Sequence, residues 1–287
     1  TCRTTCRTTC RTTCRTTCHS HSRRSTPLLN VSESKGRKRK RSQHKIMYVS
    51  EQDILNLPRF AENEIPSESC VFVWHTKMNL DELTDFCDQH VKDFDITTVT
   101  EDKQRSGKHL LERLSVRLML HLVLGKSHAL THKPNGAPTL SPNTMEVSVS
   151  HTRETYALML SPQPCGIDIE RWTERTFRLR ERFLLPEEWE LTETLTNALL
   201  ATAEQTMTRE TAQQNAATLL WSAKEAAFKA LNETAEVVTL TDILLKAKPE
   251  TTNKGLPLLH AAAIRQPEKQ VKLICQALDC VSLVHTV

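Results

Sequence analysis

No run of 18 apolar residues occurs in the 287-residue chain, so no segment reads as a membrane-spanning helix. Acid is nearly missing from residues 1–46, where 13 Lys or Arg face a single acid, Glu33. The remainder holds 25 bases and 33 acids, so the formal net charge of +4 combines a tail of +12 with a body of −8. An acidic body excludes the nucleic-acid role that Gly36-Arg-Lys-Arg-Lys-Arg41 would otherwise suggest. The tail also lacks apolar periodicity, and its first 18 residues repeat Thr-Cys-Arg-Thr, with cysteines at 2, 6, 10, 14 and 18. Such a short perfect repeat resembles translated tandem DNA. Methionine is missing at position 1, and Met47 directly precedes the first periodic sequence. Residues 1–46 therefore read as a disordered basic extension, and translation from Met47 is the expectation. The other five cysteines, Cys70, Cys87, Cys165, Cys275 and Cys280, are scattered and odd in number. They read as thiols in a reducing, cytoplasmic setting.

The whole chain is 38% apolar, enough for ordinary cores. Residues 70–75 read as a strand and a short helix follows from Leu80. Residues 108–124 read as a long helix with Leu110, Leu111, Leu114, Leu118 and Leu122 at helical spacing, stopped by Gly125. Beyond the turn at Pro134-Asn-Gly136, residues 146–150, 156–160 and 166–170 read as consecutive strands in antiparallel pairing. Helices are expected over 176–184 and 186–201, a loop or frayed helix over 203–215, and a helix over 218–231. Strands are expected over 256–260, 270–277 and 280–286. The result is an α+β chain of two similar lobes, 47–161 and 162–287.

Two segments carry chemistry. In Gly166-Ile-Asp-Ile-Glu170 the strand alternation sends Asp168 and Glu170 to one face and Ile167 and Ile169 to the other. In Trp221-Ser-Ala-Lys-Glu-Ala-Ala-Phe-Lys229 the four-residue spacing puts Trp221, Glu225 and Lys229 on one helical stripe. Three carboxylates and an ammonium suit Mg²⁺ on a phosphorylated substrate. Ser150 and His151 end a strand nearby, but no G-x-S-x-G turn surrounds the serine and no acid is placed by the sequence to orient the histidine, which excludes a hydrolase-type nucleophile pair.

These two segments, with Val147-Ser-Val-Ser-His-Thr152 and the turn Asn135-Gly-Ala-Pro138, resemble in order and spacing the signature of the 4'-phosphopantetheinyl transferases. The resemblance runs from about Cys70 to the C-terminus. It implies the two-lobed, Sfp-type class, a pseudo-twofold monomer with its site between the lobes. The implied reaction moves 4'-phosphopantetheine from coenzyme A to a serine of an apo acyl or peptidyl carrier protein, as in fatty-acid biosynthesis, leaving 3',5'-ADP. Asp168, Glu170 and Glu225 would hold Mg²⁺. Glu225 would also serve as general base, with Lys229 as the catalytic cation and Lys224 beside it. Ser150 and His151 would meet coenzyme A phosphate and Lys108 its 3'-phosphate, with Arg113 and Arg117 as neighbours. The turn departs from the family in carrying Ala137 where a base is usual, and Lys133 lies close enough to replace it. The segment between Glu170 and Trp221 is also longer than usual. A catalytically impaired module of the same fold, binding coenzyme A or a carrier, is the alternative.

Overall fold

The computed structural model describes residues 45–60, 66–100, 106–202, 207–233, 235–251 and 255–287. The tail with its repeats and basic run lies outside them. Strand β1 (Lys45–Val49) runs parallel to β2 (Cys70–His75), with Lys45 opposite Cys70 and Ile46 opposite Val71. Helix α1 (Leu80–His90) starts at a capping box in which Asn79 and Glu82 each bond the other's backbone N–H. After the short α2 (Thr97–Thr100) comes α3 (Gly107–Leu124), ended by Gly125 at φ 73°, the left-handed region that favours glycine. The hairpin β3 (Ala129–His132) and β4 (Pro138–Ser141) leads into β5 (Glu146–Thr152) and β6 (Thr155–Ser161).

The first sheet has the order β1-β2-β6-β5 and is buried on both faces along β2 and β6. Phe72 and Trp74 point toward Leu114 and Leu118 of α3, whereas Val71 and Val73 point toward the second sheet. That sheet starts with β7 (Ile167–Arg171) and has the order β7-β11-β10-β9-β8. Between β7 and the strands β8 (Ile243–Thr251), β9 (Pro257–Ala263), β10 (Gln270–Ala277) and β11 (Val281–Thr286) come α4 (Glu174–Arg178), α5 (Trp189–Thr202) and α6 (Arg209–Leu231). Helix α6 packs its alanine-rich side on this sheet. Among the described residues, no helix is long and apolar enough to cross a membrane.

Four expectations change. Strands β6 and β7 do not pair, because the chain leaves the first sheet after Ser161 and β7 joins β11 instead. Residues 176–184 form only the short α4 and a 3₁₀ turn. Of residues 203–215, those from Arg209 on belong to α6, which begins at an N-cap where Thr208 accepts from the Thr211 N–H; residues 203–206 lie outside the described set. Strand β1 reaches back to Lys45, inside the segment assigned to the extension.

That last change has a measurable consequence. Ile46 packs with Leu278 on the core between the sheets, and the Tyr48 hydroxyl donates to Gln276 of β10, burial pushing its pKa up to about 12. A chain starting at residue 47 loses the Ile46 contact, worth about 1 to 2 kcal/mol for a partly buried isoleucine. We expect it to melt below a chain starting at residue 45; equal melting temperatures would show that β1 contributes nothing before Met47.

Candidate active site

The site lies where β7, β5 and α6 meet. Gly166 makes that meeting possible: a Cβ there would sit 1.8 Å from the Ala226 carbonyl oxygen, so only glycine lets α6 pass so close to β7. The glycine is fixed from the other side, its N–H donating to Thr286 Oγ1 and its carbonyl accepting from the Thr286 N–H. Ile167 and Ile169 point into the core between the sheets, leaving Asp168 and Glu170 on the α6 side, as the strand alternation requires.

Asp168 is 4% exposed. Its Oδ1 accepts from Ser150 Oγ at 3.0 Å and from Lys229 Nζ at 3.0 Å, while its Oδ2 is buried without a partner. Lys229, 29% exposed along its side chain, also donates to the Ile167 carbonyl at 2.8 Å and approaches the Val149 carbonyl at 3.5 Å. One ammonium thus ties α6 to β7 and to the neighbouring sheet. Desolvation, then the Asp168 charge, raises the Glu170 carboxyl to about 7 despite Lys229 and a hydrogen bond from the Trp221 indole. Glu225 is raised by the same two causes in the same order. Trp221 is held edge-on to Phe183 at 5.1 Å.

Three carboxylates share one patch, but among the described residues no three His, Cys, Asp or Glu side chains stand at metal-holding separation. The donor set nevertheless fits a hard divalent cation. An unpartnered buried carboxylate oxygen and two carboxyls driven toward protonation by burial and then by the Asp168 charge are what such an ion would relieve.

The serines of β5 hold β7 in place. Ser148 Oγ accepts from the Ile167 N–H and Ser150 Oγ from the Ile169 N–H, in place of a backbone ladder between the two strands. Ser150 donates its only proton to Asp168 and so positions that carboxylate in this structure. His151 faces the opposite side of β5, into a cavity of about 390 Å³ next to α3. An acid does face this histidine, contrary to expectation: Glu112 Oε1 lies 3.5 Å from His151 Nδ1. Desolvation lowers the His151 pKa against the pull of Glu112. Lys108 stands in solvent, 3.7 Å from the same carboxylate. The i, i+4 spacing of Lys108 and Glu112 on α3 was the available sign of this group.

Two expected contacts are displaced. Lys224 is 0% exposed and lies within the C-terminal core, where it pairs with Glu188 at 2.7 Å and donates to the Ile243 carbonyl. Glu188 also accepts from the Leu245 and Leu185 N–H groups, so the pair pins α6 to β8 and to the turn before α5. A residue one position from Glu225 is turned about 100° around the helix, which sends Lys224 inward. It cannot meet coenzyme A. Lys133 is bound to Glu233 and lies 3.9 Å from Glu146, beside a second cavity of about 300 Å³ that Ala137, Pro138 and Phe228 line together with Lys229 of the junction. Those acids already neutralise it and raise its pKa.

Two measurements check these assignments. Lys224→Met leaves the Glu188 charge buried without a counter-ion and should cost ~3 to 5 kcal/mol, with recovery when Glu188→Gln is added; a stable single variant would contradict a structural pair. Glu170 has a folded-state pKa above its unfolded value, so the unfolded chain binds fewer protons between about 4.5 and 7. Its contribution to stability is fully present at low pH and is lost as pH rises through about 7. Metal-free Glu170→Gln should therefore gain stability over the parent above pH 7 and not at pH 4.5, as followed by melting; a pH-independent difference would show that Glu170 is not strained.

Residues 164–266 match the sequence model of the 4'-phosphopantetheinyl transferase superfamily, a range that includes β7, all of α6 and every carboxylate of the site. No curated protein matches the chain. The chain therefore carries, at residues 164–266, a domain of the 4'-phosphopantetheinyl transferase superfamily, whose chemistry is transfer of phosphopantetheine.

Proposed function

We propose that this protein transfers the 4'-phosphopantetheine group of coenzyme A to a serine of an apo acyl or peptidyl carrier protein, as a holo-carrier synthase acting in the cytoplasm as a monomer. The observation that carries this reading is the buried Asp168 carboxylate, held on one oxygen by Ser150 and Lys229, with its other oxygen unpartnered beside Glu170 and Glu225.

In the transfer, the serine oxygen forms a bond to the phosphorus that carries pantetheine, the phosphoanhydride P–O bond breaks, and 3',5'-ADP leaves with the electron pair. The serine proton must go to a base. Glu225, directly or through a water beside it, is the candidate; burial and then the Asp168 charge raise its affinity for a proton in the metal-free protein. Asp168, Glu170 and Glu225 would hold Mg²⁺, which when bound would supply charge neutralisation on the diphosphate. Lys229 keeps Asp168 aligned and adds positive charge at the junction. His151, on the far side of β5, faces the cavity suited to another phosphate of the same substrate.

The test is mass change: incubation with coenzyme A, Mg²⁺ and an apo carrier should add one phosphopantetheine to the carrier. Asp168→Ala should abolish transfer at any Mg²⁺ concentration, because the ligand that sets the metal's position is gone. Lys229→Met should fold and lose ~10²-fold or more in rate. Full rescue of Asp168→Ala by excess Mg²⁺, or near-parent rates for Lys229→Met, would contradict this assignment.

A further inference from the structure

The cavity beside His151 is cationic in its lining, with Arg113 and Arg117 of α3, His132 of β3, and His109 and His151 around a single acid, Glu112. That acid is not at the rim: its side chain is only 10% exposed. Its Oε2 lies 3.1 Å from His109 Nδ1, and its Oε1 lies 3.5 Å from His151 Nδ1 and 3.7 Å from Lys108 Nζ. Three nitrogens from α3 and β5 therefore converge on one carboxylate, in the arrangement by which proteins surround a phosphate group. Local stability gives little reason for an acid here. A lysine followed four residues later by a glutamate is the weaker orientation of the helical pair, and burial of the carboxylate costs solvation.

We propose that Glu112 is a resident counter-ion of this cavity, occupying among Lys108, His109 and His151 the place that a phosphate of the ligand takes, and that it thereby sets how strongly the protein favours phosphorylated ligands. An incoming phosphate must either move the carboxylate aside or bind next to its charge, and both weaken binding. Val149 lines this cavity and precedes Ser150, which holds Asp168, so a phosphate seated here lies one strand width from the carboxylate patch. This inference rests on the transferase reading for the identity of the ligand, but the role of Glu112 can fail separately.

Glu112→Gln keeps the side-chain volume and a hydrogen-bonding partner for His109 while removing the charge. Binding of 3',5'-ADP to the full chain, measured by calorimetry with adenosine as the phosphate-free reference, should tighten roughly tenfold in the variant, with adenosine binding unchanged. Glu112→Ala should tighten it in the same direction and serves if the glutamine variant does not fold. Unchanged or weaker 3',5'-ADP binding in a folded variant, with the parent still modifying an apo carrier, overturns the role of Glu112 alone. A parent that neither binds 3',5'-ADP nor modifies a carrier overturns the transferase reading together with it.

Discussion

The close approach of α6 to β7 is the constraint on which the site depends. At Gly166 the helix backbone lies where any side chain would be, and the flanking helical residues Ala226, Ala227 and Ala230 are small enough to keep it there. Only at that separation does Lys229 reach the Ile167 carbonyl and Asp168 together. A larger residue at 166 would push the helix outward and separate Glu225 and Lys229 from the two acids of β7. The glycine that opens the strand motif and the alanines within the helical motif are thus two halves of one packing contact.

Strand β5 divides the chemistry by its alternation. Ser148 and Ser150 face β7, where their hydroxyls replace backbone bonds between two sheets that do not otherwise pair. Val149 and His151 face the cationic cavity. The proposed substrate, with a diphosphate and a separate phosphate, would use both sides of the strand, the acidic patch on one and the basic cavity on the other. The Lys224 and Glu188 pair supplies the opposite support, fixing the rotation of α6 from within the C-terminal core.

Much of this was legible in the sequence because it follows from periodicity. Asp168 and Glu170 share a face by strand alternation, and Glu225 and Lys229 share one by helical spacing; Gly125 ends α3 where its φ of 73° requires a residue without Cβ. What was not legible depends on long-range packing. The sequence between Ser161 and Gly166 is short enough for a hairpin, and nothing local says that the chain changes sheets there. The polar start of α6 reads as a loop unless Thr208 is seen as its cap. Lys224 and Lys229 are indistinguishable as lysines beside Glu225, yet one is sealed in the core and the other sits at the junction. The Glu112 and His151 pair joins residues 39 apart on different elements, which no local spacing shows.

Burial and then the Asp168 charge raise the proton affinity of Glu170 and Glu225, so a divalent cation taken up by this patch would displace protons. Glu170, with its pKa near 7, is the group whose proton is most readily exchanged. Calorimetric titration of the metal-free protein with Mg²⁺ at pH 7, repeated in buffers of different ionisation enthalpy, counts the protons released on binding. Release of a substantial fraction of one proton, lost together with Mg²⁺ binding in Asp168→Ala, is the result this account predicts. Mg²⁺ binding without proton release, or binding that survives Asp168→Ala unchanged, would contradict it.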